Sequence, residues 1–219
     1  MDVSRQSAVS ELRGPRARTR RLMLDTAMRL MQAGAIPSVS EVAEAAEVSR
    51  ATAYRYFPSQ AALVQAVVDE ALGPILQWKS RATDAEARVA SLLETGLPRI
   101  EEFEATFKAA LKLSLDHWAR NAAGTLDDEP VFSRGHRRDL LTEALSPLEG
   151  TMEPRALARL AQALSLIFGV EALVVLKDIW GLGSAETRTV ALWAARALVR
   201  AGIAEAGNAK GRKRAARAS

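Results

Sequence analysis

Apolar residues recur every three or four positions along nearly the whole chain, the spacing of amphipathic helices. Met23, Ala27, Leu30 and Met31 mark a first helix to about Ala33, closed by Gly34. Val42, Ala43 and Ala46 mark a short second one, and Arg50–Phe57 a third, stopped by Pro58. Leu63, Ala66 and Val67 carry a fourth to Gly73-Pro74, where the helix either kinks or plainly ends with Ile75–Arg81 following as a second piece. Thr83 with Glu86 has the form of a capping box opening a helix to about Leu93, where Gly96 and Pro98 interrupt the pattern. Phe103, Phe107, Leu111, Ser114, Leu115 and Trp118 share one face of the next helix, which ends near Gly124. A loop over 124–135 precedes a short helix, Arg137–Leu148. Glu153–Trp180, with Pro154 at its first position, and Ser184–Ala204 are the two most apolar helices. Strand-like alternation is scarce, so the predicted fold is all-α.

The last two helices are apolar on more than one side and require more than one buried face. The second is met by a partner subunit or by a thick internal core. In the last helix Val190, Trp193, Ala194, Ala197, Leu198 and Ala201 are expected inward, with the small residues allowing close helix approach.

Residues 38–57 combine two short helices with too few residues between them to lie side by side. Ser38 and Glu41 form a capping box, and Ser49 offers a second N-cap only a few residues later. Such a pair crosses steeply, as in a helix-turn-helix. Its second helix carries Arg50, Thr52, Tyr54, Arg55 and Tyr56, with Ala51 and Ala53 between them and no carboxylate. Guanidinium and hydroxyl groups without counter-charge are donors for phosphate oxygens and base edges.

Charge sharpens the picture. The chain of 219 residues has a formal net charge of +4, but residues 1–22 carry +4 and residues 207–219 carry +5, which leaves the body at −5. The N-terminal arginines Arg16, Arg18, Arg20 and Arg21 surround Thr19, a candidate cap for the first helix, and are placed to touch a phosphate backbone. The C-terminal tail reads equally as a polyanion-binding arm or a solubilising end. There is no cysteine, hence no disulfide or thiolate site. His117 and His136 lie in different elements, and no nucleotide-loop, zinc-hydrolase or nucleophile-elbow motif occurs. Asp127, Asp128 and Glu129 read as a solvated loop. We therefore expect no enzyme activity, no cofactor and no metal. No apolar run is long enough to span a bilayer and no leader is visible, which predicts a cytoplasmic protein without membrane partners.

The stretch Thr19–Val68, TRRLMLDTAMRLMQAGAIPSVSEVAEAAEVSRATAYRYFPSQAALVQAVV, resembles the DNA-binding domain of the TetR family of bacterial transcriptional regulators. Val48, Ser49, Thr52, Tyr54, Tyr56 and Phe57 match the family pattern in register. Two positions depart from it. Glu47 stands at the corner that usually carries Gly, with a strain on the order of 1 kcal/mol if φ is positive there. Gln60 stands where the fourth helix usually has Lys, which removes one phosphate contact and makes binding less steep in salt by about one charge.

The resemblance implies this organisation: a disordered arm over 1–15, a three-helix helix-turn-helix domain over 16–62, a helical regulatory and dimerisation domain over 63–206, and a disordered basic tail over 207–219. It implies a homodimer through the last two helices, double-stranded operator DNA as partner, and repression relieved by a small-molecule effector. The DNA-contacting set is Arg16, Arg18, Thr19, Arg20, Ser38, Ser49, Arg50, Ala51, Thr52, Tyr54, Arg55 and Tyr56. The effector set is Trp78, Phe103, Phe107, Leu111, Ser114 and Trp118, in a cavity bounded by the helices from Leu63 to Leu148. Ser114 is the one polar residue on that stripe and His117 is expected at its rim, so the effector is neutral and hydrophobic or aromatic. The same stripe would also serve as core packing. A small-molecule binding bundle with a vestigial DNA-binding domain is the alternative function.

Overall fold

The computed structural model describes residues 14–126 and 135–218, with side chains placed through residue 208. Every regular element among the described residues is helical. The α-helices are α1 (Pro15–Gln32), α2 (Val39–Ala45), α3 (Arg50–Tyr56), α4 (Gln60–Leu72), α5 (Ala85–Glu102), α6 (Glu104–Ala122), α7 (His136–Leu145), α8 (Pro154–Leu164), α9 (Val170–Leu173) and α10 (Ser184–Ala218). Two 3-10 turns, Gly73–Gln77 and Ser146–Leu148, and a π turn, Val174–Ile179, complete the list. Arm residues before 14 and the acidic run 127–129 lie outside the described residues.

The chain divides into two compact units, Met1–Glu70 with Ala105–Ser133, and Ala71–Glu104 with Arg134–Ser219. The expected boundary at 62/63 falls inside α4. In the first unit, Met23, Ala27 and Met31 of α1, Val42 and Ala43 of α2, Ala53 of α3, Phe57, and Leu63, Val64 and Val67 of α4 are buried. Pro15 occupies the first turn of α1, where its missing N–H costs nothing, and Gly14 is the N-cap. Thr19 therefore does not cap this helix; its hydroxyl donates to the Pro15 carbonyl at 3.1 Å. At the other end Gly34 (φ 87) and Ala35 return their N–H groups to Met31 and Leu30, a Schellman closure.

The second unit is built around α5, which buries residues along its length. Four expectations change here. The N-cap of α5 is Asp84, which accepts from the Ala87 N–H at 2.8 Å, so Thr83 and Glu86 form no box. The helix does not stop near Leu93 but runs through Gly96 and Pro98 to Glu102, because burial of Leu92, Leu93, Gly96, Leu97 and Ile100 along one broad face outweighs two weak helix formers. The expected single helix Glu153–Trp180 is three pieces. Gly169, at φ 154, breaks it, and the Arg137 guanidinium fills the break, donating to the Ser165 carbonyl at 2.9 Å and pairing with Glu171. A Cβ at Gly169 would collide with Arg137. The fourth change is the tail. α10 continues to Ala218 where disorder was expected, since the segment has only Gly207 and Gly211 against many Ala, Arg and Lys, all good helix formers.

Along α10 the buried stripe is Thr187, Ala191, Ala195 and Val199, not the expected Val190–Ala201 set. Val190 and Trp193 face solvent, as do Leu166, Val175, Ile179 and Trp180 of the preceding segment. Trp180 and Trp193 are 72% and 71% exposed.

Candidate nucleic-acid interface

The helix-turn-helix is set by three local devices. The Ser38 side chain accepts from the Glu41 N–H at 3.2 Å, and Glu41 accepts from the Ser38 N–H at 2.6 Å, which completes the expected capping box. That backbone hydrogen bond holds the Glu41 carboxyl below the usual carboxylate range. The corner is a second Schellman closure: Glu47 and Val48 donate to Glu44 and Ala43 at 3.1 and 2.8 Å. Glu47 sits at φ 53, the left-handed conformation anticipated from the missing Gly, and no other non-glycine among the described residues has positive φ. Ser49 then caps α3, accepting from the Thr52 N–H at 3.3 Å and donating to the Thr52 hydroxyl at 2.9 Å.

Ala53 and Phe57 point α3 into the domain, and the Arg20 guanidinium lies 5.6 Å from the Phe57 ring centroid. This orientation leaves Arg50, Ala51, Tyr54 and Arg55 exposed and Thr52 and Tyr56 half-buried. Arg55 stands 5.6 Å from the Tyr56 ring centroid. The Tyr54 hydroxyl lies 3.3 Å from the Ser40 hydroxyl of α2, a residue absent from the expected set. Only a cross-helix distance reveals Ser40. Arg16 and Arg18 are exposed, and Thr19 and Arg20 half-buried, in the opening turns of α1. Arg21 is committed elsewhere, to Glu70 and Asp25, whose charges raise its pKa. Gln60 also has a use at the position where a Lys was expected from the resemblance. Its amide donates to the Ile36 and Pro37 carbonyls, both at 3.1 Å, and ties the start of α4 to the loop before α2.

The expected effector residues are divided. Trp78 and Phe103 are buried in the second unit, and the Trp78 indole N–H donates to Ser91 at 3.4 Å. On α6, in the first unit, Phe107 is buried and Leu111 and Ser114 are half-buried. The helix is rotated from the expected facing. Thr106, Ala110, Leu113 and His117 form the buried face, Leu115 and Trp118 are outside, and Trp118 is 70% exposed. His117 is thus interior rather than at a rim, with its Nδ1 buried and unpartnered. Among the described residues no cluster of His, Asp and Glu could hold a metal, and no helix is long and apolar enough to cross a membrane.

Residues 23–67 match the family described as bacterial regulatory proteins, tetR family. Two solved structures share the fold. One is a TetR transcriptional regulator from Rhodococcus sp. RHA1, 19% identical with a TM-score of 0.53, covering 85% of this chain and 97% of that one. The other is a tetR-family transcriptional regulator from Streptomyces coelicolor, 20% identical with a TM-score of 0.58, covering 93% and 99%. No curated protein matches the chain.

Proposed function

We propose that this TetR-family DNA-binding regulator is a cytoplasmic repressor that binds a near-palindromic operator as a homodimer and is released by a small hydrophobic effector. The observation that carries the reading is the outer face of α3, where Arg50, Ala51, Tyr54 and Arg55 are exposed with no acid among them while Ala53 and Phe57 anchor the helix. A helix so presented fits the major groove. The arginines suit guanine edges, and the hydroxyls and the arginines of α1 suit phosphates.

One seven-residue helix reads few base pairs, so affinity calls for two copies on two half-sites. The exposed apolar residues of the second unit, Trp180 and Trp193 foremost among them, support that assembly. A regulator must also be switched, and an effector shifts DNA affinity only by binding one conformation better than the other. We place its contacts on Phe107, Leu111 and Ser114 of α6.

The test is selection of duplexes from a randomised pool, followed by gel shifts at several salt concentrations. We expect a near-palindromic site, two protomers per duplex and an affinity that falls linearly in log–log form with salt. A protein that enriches no sequence at any salt overturns the reading.

A further inference from the structure

Within the second unit, residues 99–104 at the end of α5 gather contacts from Ala71 in the last turn of α4, from the π turn and from α10. α4 ends at Leu72 because Gly73 turns to φ 41 and Pro74 cannot supply the next helical N–H. The carbonyl of Ala71, in that last turn, accepts from Arg99 Nε of α5 at 2.7 Å. Arg99 Nη1 donates to Glu102 at 2.9 Å, and its guanidinium carbon lies 4.1 Å from the Phe103 ring centroid. Phe103 is the C-cap of α5, the residue at which the chain turns into α6.

The same corner is held from the far side. Lys177 Nζ donates to Glu104 at 2.6 Å and to Glu101 at 3.2 Å, and Glu101 also accepts from Arg188 of α10 at 2.9 Å. Lys177 belongs to the π turn that presents Val175 and Ile179 to solvent. A π turn holds one residue more than an α turn. Relaxing it to α geometry shifts the register by one residue and rotates the following side chains by roughly 100°. Lys177 cannot keep both carboxylates through such a rotation, so its two contacts favour the π register over the α one.

We propose that Lys177 and Arg99 form a relay: the register of the π turn sets the 101–104 corner through Lys177, and the corner sets where α4 ends through Arg99. Coverage of the exposed apolar face by a second copy then fixes the register, and this last step rests on the dimer reading above. Both residues act by positioning, since each holds other groups of its own unit in place.

The experiment is native-state hydrogen exchange on the full chain, read at the amides of residues 71–77. Lys177→Met and Arg99→Met should each speed exchange there by about tenfold, the loss of one hydrogen-bonded constraint. The double variant should exchange no faster than Arg99→Met alone, because the effect of Lys177 passes through Arg99. Multiplying effects, or a Lys177→Met protein with unchanged exchange at 71–77, overturn the relay. Glu104→Gln repeats the comparison if Lys177→Met fails to fold. Sedimentation of the same samples reports assembly separately, so a monomeric wild type removes the dimer reading while the exchange cycle still decides the relay.

Discussion

Gly96, in the middle of α5, lies against Phe168: a Cβ built on Gly96 would stand 2.6 and 2.9 Å from two edge carbons of the ring. Phe168 is itself buried, so the ring cannot swing away into solvent. Gly96→Ala should therefore destabilise the protein by about 1–3 kcal/mol through overpacking, despite the better helix propensity of Ala. Thermal melts check it, and Phe168→Leu should recover part of the loss in the double variant but not by itself stabilise.

Under the proposed reading, variants of α3 distinguish base reading from phosphate binding. Arg50→Ala or Arg55→Ala should relax preference at individual base positions by roughly 1–3 kcal/mol. Tyr54→Phe and Thr52→Ala should instead lower affinity for all duplexes alike. Repeating the duplex selection with each variant checks this. Arginine variants that retain the full site preference would move base reading elsewhere.

Gln60→Lys exchanges one role for another. The new charge should steepen the salt dependence of DNA binding by about one unit of slope. The amide contacts to the Ile36 and Pro37 carbonyls are disrupted, costing about 0.5–1.5 kcal/mol for each hydrogen bond not replaced. Gel shifts against salt and urea melts measure the two effects independently.

Trp193→Glu places a carboxylate on the exposed apolar face of α10, and a charge at Ala197 does the same one turn on. Either should give a folded monomer with weak DNA binding. Sedimentation at micromolar concentration reads the outcome, and a wild-type monomer under those conditions would remove the dimer claim.

Burial raises the Glu101 pKa, but hydrogen bonds from Ser184 and Lys177 and the charges of Lys177 and Arg188 outweigh it, so the carboxyl is held below its usual range. A lowered folded-state pKa contributes stability above the unfolded value, and that contribution is lost as pH falls through the folded value. Glu101→Gln should thus be less stable than wild type at neutral pH and lose less on acidification below the ordinary carboxylate range. Urea melts across that window test the sign.

Much of the first unit was legible because its devices are local. Capping by Ser38 and Ser49, the strained corner at Glu47 and the stop at Pro58 each depend on residues within a few positions, and all appear as expected. The donor-rich helix α3 could be read for the same reason. Ser40 and the carbonyl contacts of Gln60 could not, because their partners lie 14 and more than 20 residues away.

The sequence by itself determined that this chain is all-helical, that residues 38–57 make a steep two-helix corner, and that the helices after Glu153 carry more apolar surface than one face can bury. Those are consequences of spacing and short-range hydrogen bonding. Only the tertiary structure decided that α5 runs through Gly96 and Pro98, that Gly169 and Arg137 break the next long helix, and that α6 turns His117 inward and Trp118 outward. Spacing leaves the absolute rotation of a helix free within a turn, and a weak helix former is overruled wherever a distant side chain fills the space beside it.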